Sequence, residues 1–95
     1  MEIIWTKQAE FSYISNIEYL EIFWTEKEII KFELEVFRTL EIIENNINIG
    51  KNEIELNCKS IIILKQITLF YDIIDSKIVL LNFWNNKQDT KKRSY

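Results

Sequence analysis

The chain has 95 residues, a formal net charge of −3, no histidine, no proline, one glycine and one cysteine. A chain of this length forms one domain, because single hydrophobic cores extend well beyond it. The single cysteine excludes an internal disulfide, and the absence of histidine excludes Cys/His zinc sites, Cys-His pairs and Ser-His-Asp triads within the chain. A hydrophobic content of 47% excludes low-complexity disorder.

The sequence contains no segment suited to entering a membrane. The apolar run at residues 61–64, among the longest, has four residues, whereas a membrane span needs about 18. The first residues lack the basic and apolar regions of a signal peptide. We expect a soluble, cytoplasmic protein that has no membrane partner and uses no cofactor.

Charge is distributed unevenly along the chain. Residues 1–55 contain 12 acidic and five basic side chains, whereas residues 56–95 contain three acidic and seven basic ones. The two parts therefore carry net charges of −7 and +4. The basic end, with Lys91, Lys92 and Arg93, is typical either of a positive binding surface or of a solubilising tail.

The first predicted elements are a strand and a helix. Residues 2–6 (EIIWT) are rich in β-branched and aromatic side chains and predict a strand, after which Thr6 can cap a helix over 7–23. Two apolar stripes of that helix show the spacing of three and four that aligns side chains on one side. They are Phe11, Ile14 and Ile17, or Tyr13, Ile17 and Leu20.

A second helix has a clear start signal. Thr25 and Glu28 form the S/T-x-x-E pattern of a capping box, and Trp24 before the cap can pack on Ile29. The apolar side chains that follow recur at helical spacing and predict one buried side. They are Ile29, Phe32, Val36, Leu40 and Ile43.

Beyond the helices the pattern changes to strands. Asn45, Asn46 and Gly50 favour a helix exit, so we interpret residues 45–56 as a connector. The two-residue turns between the following strands indicate antiparallel hairpins. The predicted strands are 57–65, 67–74 and 77–84.

These elements predict an α+β fold in the order β-α-α-β-β-β, with a helical hairpin packed on a small, mainly antiparallel sheet. The single domain spans residues 1–95, of which 85–95 form a polar, basic tail. The first of the three later strands is apolar on both faces at its middle. This is typical of a sheet covered on one face and open for binding on the other, or of a dimer or partner contact.

Several segments carry a family resemblance. The opening IIWT is followed by Ala9, the helices exit through NNINIG, and the sheet reads KSIIILKQITLFYDI and IVLLNFWNNKQDTKK. In this order they resemble the RelE/ParE superfamily of bacterial type II toxins over nearly the whole chain. The chain departs from the family pattern at Ile47 and Thr90, where proline is usual, and at Asp72 and Lys87, where arginine is usual.

RelE-like members are ribosome-dependent mRNA endoribonucleases, in which Lys and Arg stabilise the charge that develops on phosphate and a polar side chain transfers a proton. The resemblance implies the catalytic candidates Lys59, Lys65, Tyr71 and Lys87, with Tyr95 as a further candidate for proton transfer. The carboxylate of Asp72 would repel a developing phosphate charge. This substitution weakens the nuclease interpretation.

ParE-like members lack the ribonuclease residues and act by binding DNA gyrase. The first hypothesis is therefore a ParE-like toxin that inhibits growth by binding a cellular target such as DNA gyrase. A cognate antitoxin would neutralise it, with an extended or helical segment that wraps the helices or the sheet edge. The alternatives are RelE-like cleavage of mRNA on the ribosome and a non-toxic interaction module that keeps the fold. Residues expected to contact the target or RNA are Lys59, Lys65, Lys87, Lys91, Lys92 and Arg93.

Structural roles compete with these functional ones. Lysines at strand ends, such as Lys59 and Lys65, also protect sheet edges from pairing with other chains. Trp5, Trp24 and Trp84 lie in apolar contexts without interleaved basic residues, which favours core packing over stacking on RNA. No residue pattern predicts a metal site.

Overall fold

The computed structural model describes residues 1–86, and its elements follow the predicted order with one additional strand. The helices are α1 (Lys7–Phe23) and α2 (Glu26–Asn45). The strands are β1 (Ile3–Trp5), β2 (Lys51–Glu53), β3 (Cys58–Leu64), β4 (Ile67–Ile74) and β5 (Lys77–Asn85). The α+β fold class, with a helical hairpin on a mainly antiparallel sheet, is confirmed.

The strands form one sheet in the order β1-β5-β4-β3-β2. β1 pairs in parallel with β5, and the other three pairings are antiparallel. At the turn between β4 and β5, Asp75 and Ser76 have φ angles of 50° and 62°. Two successive positive φ values are typical of the type I′ turn, whose twist matches that of the paired strands.

The interpretation of residues 45–56 as a plain connector is wrong at its centre. Lys51–Glu53 form β2, which pairs with β3 at the edge of the sheet. The sequence Lys-Asn-Glu has none of the β-branched or aromatic side chains that indicate a strand. The exposed edge of β3 offers backbone hydrogen-bonding partners, so pairing rather than intrinsic propensity accounts for β2.

Threonine caps begin both helices. The Thr6 hydroxyl accepts a hydrogen bond from the Ala9 amide (3.1 Å) and donates one to the Leu80 carbonyl (2.7 Å), so this cap also ties α1 to β5. Thr25 and Glu28 form the predicted capping box in both directions. Each cap stabilises its helix by about 1 kcal/mol.

The core lies between the helices and one face of the sheet. On α2 the predicted stripe is confirmed, since four of its members are buried and Ile29 packs against them. On α1 the second stripe is correct: Leu20 is buried and Tyr13 packs against the core, whereas Phe11 and Ile14 are exposed. The prediction based on Phe11 and Ile14 is therefore wrong.

Polar side chains join α1 to the second half of β5. The Ser12 hydroxyl accepts a hydrogen bond from the Phe83 amide, and the Asn16 side-chain amide donates one to the Phe83 carbonyl, each at 2.9 Å. These backbone groups lie beyond Leu80, where the pairing of β1 with β5 ends. Because α1 turns Ser12 and Asn16 toward this strand, the apolar Phe11 and Ile14 face outward.

Candidate functional site

The helix-free face of the sheet forms an open groove of about 570 Å³, which we call the sheet groove. Its lining residues come from β2, β3, β4 and the end of β5. They are Lys51, Glu53, Ser60, Ile61, Ile62, Thr68, Phe70, Trp84 and Asn86. The helices pack on the opposite face, so the sheet groove lies on the face that they leave uncovered.

Strand register brings the side chains of the sheet groove together. Thr68 pairs with Trp84 across β4 and β5, and Ser60 pairs with Phe70 across β3 and β4. Directly opposed residues point to the same face of a sheet, and neighbours along a strand alternate between faces. Leu69, which lies between Thr68 and Phe70, is accordingly fully buried in the core.

The two ends of the sheet groove carry oriented polar groups. At the β2 end, the Ser60 hydroxyl donates a hydrogen bond to Glu53 Oε2 at 2.6 Å. At the other end, Trp84 Nε1 donates to Asn86 Oδ1 at 2.6 Å. Ile62, which is 70% exposed, supplies apolar surface between these ends. This mixture of apolar surface and fixed polar groups is suited to contact with another macromolecule.

The described part of the sheet groove is poor in positive charge. Of its lining residues, Lys51 is the only cation and Glu53 the only carboxylate. Asp72 lies two residues beyond Phe70 on β4 and therefore points to the same face. Burial raises the pKa of the Cys58 thiol, and the carboxylates of Asp72 and Glu53 raise it further. The Asp72 and Glu53 carboxylates are therefore both near enough to the Cys58 thiol to raise its pKa.

The structure places Lys59 and Lys65 away from the sheet groove. Lys59 is paired with Tyr71, a core residue, and so lies on the helix side of the sheet, where its ammonium donates to Asn52 Oδ1 at 2.6 Å. Lys65 follows β3 and lines a small hollow of about 190 Å³ together with Trp24 and other residues near the start of α2. Lys59 and Lys65, both predicted as site residues, therefore lie in different surroundings and do not form one cationic site.

Tyr71 is fully buried, and its hydroxyl is engaged with the backbone of the α2 exit loop. It accepts a hydrogen bond from the Gly50 amide (3.0 Å) and donates one to the Ile47 carbonyl (3.1 Å). Burial raises the pKa of Tyr71, although the Gly50 bond opposes this. A methyl group at Gly50 would lie 2.6 Å from the Tyr71 oxygen, so glycine is required there. Tyr71 is therefore placed to brace a loop rather than to meet a substrate.

The remaining predicted site residues lie outside the described residues. They are Lys87, Lys91, Lys92, Arg93 and Tyr95, together with the family departure at Thr90. The predicted tail over 85–95 begins within an element, since Asn85 is the last residue of β5.

Core packing is confirmed for two of the three tryptophans. Trp5 stacks on Phe83 with ring centroids 5.4 Å apart, and Trp24 packs against the core. The prediction is wrong for Trp84, which lines the sheet groove. Because side chains alternate between the two faces along β5, the sequence alone places Trp84 and its neighbour Phe83 on opposite faces of the sheet. Deciding which of the two is buried requires knowing on which face the helices pack.

Ser60, Thr68 and Phe70 also line the groove, although the family resemblance does not point to these positions. The alternation of side chains along β4 could have indicated them, because Thr68 and Phe70 lie on the same face of the strand as Asp72. Within residues 1–86 there is no cluster of three or more Cys, Asp or Glu side chains suited to a metal ion. The described helices also include none long and apolar enough to span a membrane.

Comparisons with known proteins identify the fold. No family model matches the chain, and no curated protein matches it. A solved structure described as the chromosomal ParDE TA system from P. aeruginosa is similar, with a TM-score of 0.75 and 10% sequence identity. The alignment covers 90% of this chain and 95% of that one. This likeness confirms the RelE/ParE-like fold predicted from the sequence.

Proposed function

We propose that the protein is the toxin component of a bacterial type II toxin-antitoxin system and acts in the cytoplasm. It inhibits growth in the ParE manner, by binding a cellular target such as DNA gyrase through the sheet groove. A cognate antitoxin neutralises it.

The observation that carries this proposal is the composition of the sheet groove. Stabilising the charge that accumulates on phosphate during RNA cleavage requires cations aimed at that charge. The described lining residues include Lys51 alone as a cation, and the carboxylates of Glu53 and Asp72 share the face. Lys59 lies on the other face of the sheet. This distribution favours action by binding over action by cleavage.

The fold gives independent support. A protein of the ParDE toxin-antitoxin system has the same architecture over 90% of this chain. At 10% sequence identity the surface residues of the two proteins can differ, so the target contacts depend on this chain's own side chains. We choose Trp84 as the expected anchor, because it lines the groove and is half-buried, and tryptophan is enriched among the few residues that carry most of the binding energy at protein interfaces.

Induced expression in bacteria without an antitoxin tests the proposal. The wild-type protein is expected to stop growth, and Trp84→Ala is expected to relieve the arrest at equal protein level. Lys59→Ala is the matched control on the other face of the sheet and is expected to leave the arrest intact. Unimpaired growth with the wild-type protein would contradict every toxic function and favour the non-toxic interaction module.

A translation extract separates the two toxic mechanisms. The purified protein is expected to leave ribosome-bound mRNA intact, because the sheet groove lacks a cationic cluster among residues 1–86. New 5′ ends that appear in the mRNA only when ribosomes are present would instead establish the RelE-like endoribonuclease.

A further inference from the structure

An open hollow of about 400 Å³ lies between α1 and the last residues of β5. Carboxamide side chains from both elements line it, and we call it the amide hollow: Gln8, Asn16, Asn82 and Asn85. The helix also contributes the hydroxyls of Ser12 and Ser15. None of the described lining residues is charged, so the amide hollow is suited to a neutral hydrogen-bonding group rather than to an anion or a cation.

The polar lining on α1 follows from helical spacing. Gln8, Ser12 and Asn16 are four residues apart and therefore lie along one side of the helix. That side faces β5 beyond Leu80, where the pairing of β5 with β1 ends. The Ser12 and Asn16 side chains bond the backbone of Phe83 there. The same polar stripe thus joins the helix to the strand and forms the floor of the amide hollow.

Only the nitrogen of the Asn16 side chain is used by the fold. It donates to the Ser12 and Phe83 carbonyls, each at 2.9 Å, and the residue is 1% exposed. Asn16 Oδ1 is buried and accepts no hydrogen bond from residues 1–86. The Ser12 hydroxyl cannot supply one, because its single proton is donated to the Ala9 carbonyl at 3.2 Å. Buried acceptors without a donor are uncommon, so Asn16 Oδ1 indicates a ligand that carries a donor.

A pair of amides from the two elements adds further polar atoms to the lining. Gln8 Nε2 donates to Asn82 Oδ1 at 3.2 Å. Within residues 1–86 this bond leaves the acceptor Gln8 Oε1 and the donor Asn82 Nδ2 without a partner. The amide hollow therefore offers both kinds of hydrogen-bonding atom to a ligand.

Aromatic rings border the same hollow. Phe11 is 68% exposed, and Trp84 is half-buried and also lines the sheet groove. Aromatic side chains bind nucleobases by stacking on their planar faces. A planar ligand can thus stack on a ring while its edge bonds the amides. A bridging water takes only about 30 Å³, so the amide hollow has room for a ligand of this size.

We propose that the amide hollow binds an adenine base. Asn and Gln pair with adenine by accepting from its amino group and donating to a ring nitrogen, whereas Arg or Lys reads guanine and Asp or Glu reads cytosine. The described lining has four carboxamides and neither kind of charged group. The adenine amino group donates to Asn16 Oδ1, and the Gln8–Asn82 pair and the bordering rings hold the remainder of the base.

Adenine binding goes beyond the proposed function and does not depend on it. The amide hollow lies beside α1, whereas the target contact is proposed for the sheet groove, and Trp84 is the lining residue that the two share. The adenine can belong to a free nucleoside or nucleotide or to a single-stranded nucleic acid, because the recognised group is the same.

NMR titration of the isotope-labelled chain with adenosine tests the proposal. Adenosine at millimolar concentration is expected to shift the side-chain amide signals of Gln8 and Asn16 saturably, while that of the exposed Asn48 stays in place. Purine riboside, which lacks only the amino group, is expected to bind about tenfold more weakly, because Asn16 Oδ1 then stays without a donor. Absence of saturable shifts with adenosine, or equal binding of purine riboside, would overturn the proposal.

Matched variants locate the binding. Phe11→Ala is expected to weaken adenosine binding about tenfold, as loss of a stacking ring does. Phe23→Ala removes a ring that is similarly exposed at the end of α1 and is expected to have no effect. Gln8→Ala is expected to weaken binding about fivefold, and Asn48→Ala to leave it unchanged. All four side chains are exposed, so the variants should fold, and equal effects within either pair would overturn the assignment to the amide hollow.

Competition with oligonucleotides identifies the source of the adenine. Short single-stranded oligoadenylate and oligouridylate of equal length carry the same charge, so a difference between them reports the base. Oligoadenylate that displaces adenosine at lower concentration than unlabelled adenosine does would assign the site to a single-stranded nucleic acid. Displacement no better than that by adenosine would assign it to a free nucleoside or nucleotide, and both results support an adenine site. Oligouridylate that displaces adenosine as well as oligoadenylate does would overturn recognition of the base.

None of these measurements uses toxicity or gyrase as its readout. A chain that fails the growth test can therefore still bind adenosine, and a toxic chain can fail to bind it. The two proposals stand or fall separately.

Discussion

The two faces of the sheet are made by neighbouring residues on the same strands, yet their surroundings differ. On β4, Ile67, Leu69 and Tyr71 are fully buried beneath the helices. Thr68 and Phe70 alternate with them and line the sheet groove. A single alternating sequence therefore supplies both the buried core and the lining of the open groove, and substitutions one residue apart should have separable effects.

The largest expected difference between the faces is in stability. Leu69→Ala removes a fully buried side chain and should lower the free energy of unfolding by about 2–5 kcal/mol. Thr68→Ala, on the sheet groove, should lower it by less than about 1 kcal/mol. Urea denaturation of the two variants measures this, and equal losses would show that the groove face is also packed in solution.

Tyr71→Phe should have the next largest effect. It leaves the Gly50 amide and the Ile47 carbonyl without their hydrogen-bonding partner, which should cost about 1–3 kcal/mol. Growth inhibition at equal protein level should persist, because the hydroxyl braces a loop. Loss of toxicity without loss of stability would instead support a catalytic role for Tyr71.

Alkaline pH should lower the free energy of unfolding through two tyrosines on the helix side of the sheet. Burial raises the pKa of Tyr71, and burial together with Glu33 raises the pKa of Tyr13, above the value of about 10 in an unfolded chain. The folded chain then keeps protons that the unfolded chain has lost. The contribution to stability is therefore complete below about pH 10 and declines as pH rises further.

Tyr71→Phe provides the control for this pH dependence. Its unfolding free energy should decline less steeply than that of the wild-type protein above about pH 10, because one of the buried titrating groups has been removed. Urea denaturation at a series of alkaline pH values measures the slopes. Equal slopes for Tyr71→Phe and the wild-type protein would mean that folding does not change the pKa of Tyr71.

The smallest effect is expected at Lys59. Its ammonium contacts the exposed Asn52 side chain, so Lys59→Ala should change stability by no more than about 0.5 kcal/mol. It should also leave growth inhibition unchanged, since Lys59 lies opposite the sheet groove. A loss of inhibition comparable to that of Trp84→Ala would show that the helix side of the sheet also contacts the target.

The elements with strong local signals were predictable from the sequence. The capping box at Thr25 and Glu28 placed the start of α2, and the two-residue turn at Asp75 and Ser76 placed the last hairpin. Such signals act through backbone geometry within a few residues. They therefore do not depend on the rest of the fold.

Features that depend on tertiary packing were not predictable in the same way. The outward orientation of Phe11 follows from the hydrogen bonds of Ser12 and Asn16 to β5, which no helical pattern indicates. The role of Tyr71 depends on a loop that lies 21 residues earlier in the chain at Gly50. Alternation predicts which residues share a face, but the position of the helices decides that Trp84 faces the groove.

Binding of gyrase through the sheet groove can be measured as inhibition of the supercoiling of relaxed plasmid DNA by purified DNA gyrase. We expect the wild-type protein to block supercoiling and Trp84→Ala at the same concentration not to block it. Supercoiling that proceeds equally with and without the wild-type protein would contradict binding of gyrase through the sheet groove.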